Sequence, residues 1–159
     1  MKILFLDYDG VICLQGEWES RYNNKEGLDS IFDKFNKEAI DILNEIIEAT
    51  DCEIVTSSDW RLYSSLEEMQ DLFILRGVRK SPIAFTGFIK GSIQDLKLSR
   101  SKEILDFVDQ YNIKTWCAVD DMDMGLWLTD HFVRTPKSRE GIKQTGVKEK
   151  IIKILNQSI

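Results

Sequence analysis

The sequence predicts an α/β protein: a Rossmann-like three-layer sandwich on a mainly parallel sheet, with no large cap domain. Three observations carry this. The apolar runs ILFL (3–6), CEIV (52–55) and TWCAV (115–119) have the unbroken character of strands buried on both faces. Segments of helical periodicity lie between them, so the strands join through β-α-β crossovers and run parallel. Each run also stops at polar residues: Asp7 and Asp9, then Thr56 and Ser57, then Asp120 and Asp121. Parallel strands linked in this way present all three endings at one edge of the sheet, where ligands of open α/β sheets bind.

The elements follow in order. After the first strand, residues 13–36 are polar and aromatic with no sustained period, which predicts a flap over the active edge; Trp18, Arg21 and Tyr22 are its candidate contacts. Asn36 is a good N-cap, and Ile40, Leu43, Ile46 and Ile47 recur at helical spacing behind it. A second helix is expected over 62–75 with Leu66, Met69 and Phe73 inward and Gly77 as its stop. Ser81-Pro82 and Lys90-Gly91-Ser92 mark turns around a short strand at 83–89. The third helix takes Ser99 or Ser101 as its cap and buries Ile104, Leu105, Phe107 and Val108. A short strand at 131–133 and a closing helix at 147–155 complete one domain over 1–159. Neither gap, 13–35 or 62–99, is long enough for a cap, so the site is expected to lie open.

Length and composition fit this reading. A chain of 159 residues, 43% hydrophobic, is enough for one buried core. The first strand begins at once after Met1, which leaves no room for a cleavable leader, and no apolar run approaches the roughly 18 residues of a membrane span. A soluble, cytoplasmic protein without a membrane partner is expected. Cys13, Cys52 and Cys117 have no C-x-x-C spacing and suggest neither a disulfide framework nor zinc. A formal charge of −6 argues against broad binding to nucleic acid, although seven basic residues and one acid between Arg76 and Lys102 form a strip that a polynucleotide backbone could follow. His131 stands alone in a presumed strand, which gives a Ser-His-Asp or Cys-His mechanism little to work with.

The chemistry begins with Asp7 and Asp9. Two carboxylates at one strand end repel each other unless a proton or a cation intervenes, and a hard ion bound by oxygen, Mg²⁺, is the simplest remedy. Gly10 lets the backbone turn sharply beside a ligand. The stretch DYDGV behind four apolar residues resembles the first motif of the haloacid dehalogenase-like hydrolases. The order D-x-D, then Thr56 or Ser57, then a basic residue at a helix, then Asp120-Asp121 resembles the same family over most of the chain.

That resemblance implies a Mg²⁺-dependent phosphatase. Asp7 is then the nucleophile that becomes an aspartyl phosphate, and Asp9 the general acid and base. Metal ligands are Asp7, the carbonyl of Asp9, and Asp120 or Asp121. Thr56, with Ser57 as second choice, binds a phosphoryl oxygen, and Arg100 or Lys102 supplies the cation. Arg100 is preferred because R-S-x-E-I is similar to the pattern of a capless branch. TSSDWR, with Arg61 near the phosphate, resembles a string in the branch associated with nucleic-acid end repair. The implied partner is a phosphorylated substrate, either a small molecule or a nucleic-acid end. Two other readings stand beside this one. A receiver-type phosphoacceptor uses the same chemistry but carries its paired acids after the first strand; a non-catalytic relative would only bind a phosphorylated ligand.

Overall fold

The computed structural model describes residues 1–15, 34–89 and 95–157. Five parallel strands lie in the order β3-β2-β1-β4-β5: β1 (Lys2–Leu6), β2 (Glu53–Thr56), β3 (Pro82–Phe85), β4 (Thr115–Asp120) and β5 (Phe132–Arg134). The chain moves outward from β1 through β2 to β3, then crosses back to lay β4 on the other side of β1. The strand order therefore reverses between β1 and β4, which is where a crevice opens beyond the carboxyl ends. Asp7 and Asp120 stand at that point.

Alternate residues explain why the strands read as unbroken apolar runs. Leu4, Leu6, Ile54, Cys117 and Val119 enter one core with the helices α1 (Lys37–Thr50), α2 (Leu66–Leu75) and α5 (Val147–Leu155). Ile3, Phe5, Val55, Trp116 and Ala118 enter the other, beneath α3 (Leu96–Gln110) and the single turn α4 (Gly125–Leu128). Helices on both faces make the three-layer sandwich, and the described residues include no cap domain. None of the described helices is long and apolar enough to cross a membrane.

The local signals explain most boundaries. Asn36 caps α1 by accepting the Ala39 N–H, as expected, and α5 spans the predicted 147–155. The second helix starts later than predicted because Ser65 and Glu68 form a reciprocal capping box, which adds about 1 kcal/mol at that boundary. The stretch before it is a 3-10 turn, Asp59–Leu62. Gly77, at φ +83°, follows α2 in a Schellman closure: the N–H groups of Gly77 and Val78 donate to Ile74 and Phe73. The strand expected at 83–89 is only Pro82–Phe85. Pro82 is tolerated there because it opens an edge strand.

The third helix departs most from expectation. Asp95, not Ser99 or Ser101, is its cap, accepting the Leu98 N–H at 3.2 Å. Both serines lie inside α3, where their hydroxyls donate back to the carbonyls of Asp95 and Lys97. Exposed Leu96 and Leu98 at the start blurred the periodicity, and Leu105, predicted to be inward, is 38% exposed. His131 lies in a 3-10 turn ahead of β5, stacked on Trp116.

Candidate active site

The ends of β1 and β4 build the site. The Asp7 N–H donates to Val119 at 3.1 Å, continuing the ladder one residue past β1, and Asp120 is the last residue of β4. By the pleat, both share the face of Phe5 and Ala118, so both meet α3. Arg100, on the second turn of that helix, reaches between them: one guanidinium nitrogen lies 2.9 Å from Asp120 Oδ2 and 3.4 Å from Asp7 Oδ1. Its other terminal nitrogen binds Asp59 at 3.0 Å. Burial opposes the charge on Arg100, but Asp7, Asp120 and Asp59 outweigh it and hold the guanidinium protonated.

Asp7, Asp120 and Asp121 each place a carboxylate oxygen within 4.8 Å of the others. Burial first, and Asp120 next, raise the Asp7 carboxyl well above the usual carboxylate range, with Arg100 acting against them. The same two causes push Asp121 up to about 6. Three clustered acids thus share one guanidinium, which Asp59 also draws on. A divalent cation fits this donor set: hard oxygen ligands, an excess of negative charge, and ligand atoms close enough to meet on one ion. The residues therefore suit Mg²⁺.

The loop beyond β1 is wound tightly around the carbonyl of Tyr8, which accepts from the N–H groups of Val11, Ile12 and Cys13. Gly10 has φ +80°, and a Cβ there would sit 2.5 Å from Asp121 Oδ2. Its lack of a side chain is what lets the β1 loop and the acidic β4 loop close on each other. Thr135, beyond β5, ties the two together by donating its hydroxyl to the Gly10 carbonyl at 2.9 Å and its N–H to Asp120 at 2.9 Å. Asp9 stands outside the three-acid cluster, and its Oδ2 accepts the indole N–H of Trp60 at 3.2 Å.

The remaining candidates divide. Thr56 is fully buried, and its hydroxyl bonds the Tyr8 phenol at 2.5 Å, on the face away from α3. Ser57 is the residue that continues the ladder beside Asp7, its N–H donating to Leu6 at 3.1 Å. Ser57, the second choice, is thus the one of the two on the Asp7 face of the sheet. Lys102 is exposed, two residues and about 200° around the helix from Arg100, so of the two cations Arg100 is the one that reaches the acids. Arg61, expected at the substrate, has its side chain only 3% exposed. It donates to the carbonyls of Ser57, Ser58 and Gly87 at 3.0, 2.8 and 3.2 Å and forms a tight ion pair with Glu103. Trp18, Arg21 and Tyr22, on the expected flap, lie outside the described residues. The described ends of that segment are stitched to the body, Gln15 to Ser138 and Asn36 to Ile12.

Tyr8, Asp59, Trp60, Glu103 and Thr135 were missed as parts of the site. Asp59 and Trp60 sit inside TSSDWR, and Glu103 follows Arg100 by three residues, which puts both on one side of a helix. Those spacings were the available signal; Thr135 had none. Of the basic strip expected between Arg76 and Lys102, Lys90 lies outside the described residues and two members turn away from the site. Arg79 pairs with Glu48, and Lys80 with Asp51 and Glu53, at the start of β2 and thus at the end of the sheet opposite the site.

Comparison with known families decides the identity. Residues 3–147 match the family described as the HAD domain in Swiss Army Knife RNA repair proteins, HAD standing for haloacid dehalogenase. The chain belongs to that family. No match was found among curated proteins or among solved structures. As a HAD domain the chain groups with the phosphatases and not with receiver modules, and Asp7, the first acid of the D-x-D, meets the paired acids that end β4.

Proposed function

We propose that this HAD domain is a Mg²⁺-dependent phosphatase that removes a phosphate monoester from a nucleic-acid end through an aspartyl phosphate on Asp7. The observation that carries the reading is Arg100 bridging Asp7 and Asp120 within a three-acid cluster at the switch point of the sheet. The nucleic-acid end is supported by the RNA repair proteins for which the family is described.

The residues divide the work as follows. A Mg²⁺ held by Asp7, Asp120 and Asp121, with the Asp9 carbonyl, would screen the repulsion between the nucleophile and an anionic phosphate. Arg100 steadies the Asp7 carboxylate and meets charge developing on the equatorial phosphoryl oxygens. Ser57 donates its hydroxyl to one of those oxygens. An Asp7 oxygen attacks phosphorus as the ester bond breaks, and Asp9 gives its proton to the departing alkoxide. Asp9 then takes a proton from water, whose oxygen attacks phosphorus, and the bond to Asp7 breaks to release phosphate. Both steps balance with no other reactant than water.

The test is a phosphatase screen with and without EDTA over nucleotides, sugar phosphates, phosphopeptides and 3′- or 5′-phosphorylated oligonucleotides. We expect metal-dependent turnover that favours the oligonucleotide ends, reduced on the order of 10⁴-fold or more by Asp7→Asn. Undiminished hydrolysis in that variant, or none by the wild type on any member of the set, would overturn the reading. Turnover confined to sugar phosphates would overturn the nucleic-acid part alone.

A further inference from the structure

We infer that Trp60 is a positioning residue for the general acid and base: its indole N–H fixes the Asp9 carboxyl so that the proton is exchanged at Oδ1. The inference rests on the phosphatase reading and on Asp9 having the role given above. Trp60 is fully buried, and a buried indole N–H needs an acceptor. Here the acceptor is Asp9 Oδ2, 3.2 Å away, across a sequence separation of 51 residues.

The ring has little freedom to do anything else. It is met edge-on by Tyr8, with centroids 5.3 Å apart at 87°, and stacked by Phe35 at 5.6 Å and 24°. The backbone beneath it is pinned from two sides. Ser58 accepts the Trp60 N–H at 3.3 Å, and Arg61 binds the carbonyls of Ser57 and Ser58 while paired with Glu103. Asp59 in the same turn holds Arg100. One short 3-10 turn therefore reaches both the acid/base and the cation.

The chemical consequence follows from the direction of the bond. An N–H donor on Oδ2 makes that oxygen an acceptor whether or not Asp9 is protonated, so the proton sits on Oδ1. Without the donor Oδ2 loses this hold, and the proton is carried more often on the oxygen away from the leaving group. Proton transfer to the leaving group matters most when that group is a poor one. The loss should therefore grow with leaving-group pKa, a pattern that general damage to the site does not produce.

The experiment measures kcat/KM, which reports the step up to departure of the leaving group, for a series of substituted phenyl phosphates, from p-nitrophenyl to unsubstituted phenyl, in wild type, Asp9→Asn, Trp60→Phe and the double variant. We expect Trp60→Phe to leave p-nitrophenyl phosphate within about threefold and to slow phenyl phosphate on the order of 10-fold or more. The slope against leaving-group pKa should steepen towards that of Asp9→Asn, with no further steepening in the double variant. Phe35→Leu, which removes a stacking partner and leaves the N–H in place, should keep the wild-type slope. Should Phe at position 60 prevent folding, benzothienylalanine there exchanges the N–H for sulfur within the same ring outline. A parallel loss across the series, or a wild-type slope beside a steepened Asp9→Asn, overturns the inference and spares the phosphatase reading. An unchanged slope in Asp9→Asn overturns the inference together with the acid and base role given to Asp9.

Discussion

Two groups of buried charges lie side by side beneath the active edge, and they differ in balance. Arg61 and Glu103 form a tight pair of one cation and one anion, with side chains 3% and 5% exposed; carbonyl oxygens take further guanidinium N–H groups, and the exposed Asp59, shared with Arg100, lies 3.5 Å away. Burial pulls both partners towards their neutral forms and the pairing works against it. In the second group Asp7, Asp120 and Asp121 share Arg100, which also serves Asp59. The balanced pair needs nothing from outside and serves as scaffold. The unbalanced group holds charge that a cation and a phosphate can use.

The largest effect should come from disturbing the unbalanced group at Arg100. Its planar fork reaches Asp7, Asp120 and Asp59 at once, a geometry that a lysine ammonium cannot reproduce. Arg100→Met should lower kcat on the order of 10³-fold and Arg100→Lys about 10²-fold, in the range of losing one transition-state donor. Steady-state kinetics on p-nitrophenyl phosphate checks both. Equal activity in Arg100→Lys would show that only charge matters there, and activity lost at Lys102 instead would reverse the assignment.

This contrast also marks what could be read from the sequence. The acids of the site, the strand ends that carry them and the order of the motifs were legible, because strand residues keep a fixed period and a chain ending stays at its edge. Arg100 was legible over Lys102 on the resemblance of R-S-x-E-I alone: the start of its helix was misplaced by several residues, and the true cap at Asp95 is what shows which side of the helix faces the sheet. Arg61 was misread for a different reason. Its sequence neighbours lie beside the site, but the 3-10 turn directs its side chain inward to Glu103, a partner 42 residues away. Thr56 and Ser57 differ by one step of the pleat, and no local signal decides which of two adjacent hydroxyls takes which face.

An intermediate effect, on stability more than on rate, is expected from the balanced pair. Glu103→Gln takes the nearer counter-charge from buried Arg61 and leaves it only Asp59, 3.5 Å away and largely exposed, which should destabilise the fold by about 3 kcal/mol. Replacing both, as Arg61→Met with Glu103→Leu, should recover only part of this, because the carbonyls of Ser57, Ser58 and Gly87 lose their donor. Urea midpoints at unchanged slope measure both variants. Wild-type stability in Glu103→Gln would remove the distinction between the two groups.

The smallest effect is the most specific to the unbalanced group. The folded-state carboxyl of Asp121 lies up at about 6 against an ordinary 3.8, and Asp7 is raised with it. A raised carboxyl stabilises the fold while it is protonated, so this contribution is complete below about pH 3.8 and is lost as pH rises through about 6. In EDTA the melting temperature of the wild type should therefore fall across that window relative to Asp121→Asn, which has no carboxylate to ionise at that position. Mg²⁺ should reverse the order above pH 6, because ions bind the deprotonated cluster and the variant has lost a ligand. Melts in EDTA and in Mg²⁺ at matched ionic strength read both limbs. Parallel wild-type and variant curves in EDTA would mean that Asp121 carries no excess charge, and the cluster would then resemble the balanced pair beside it.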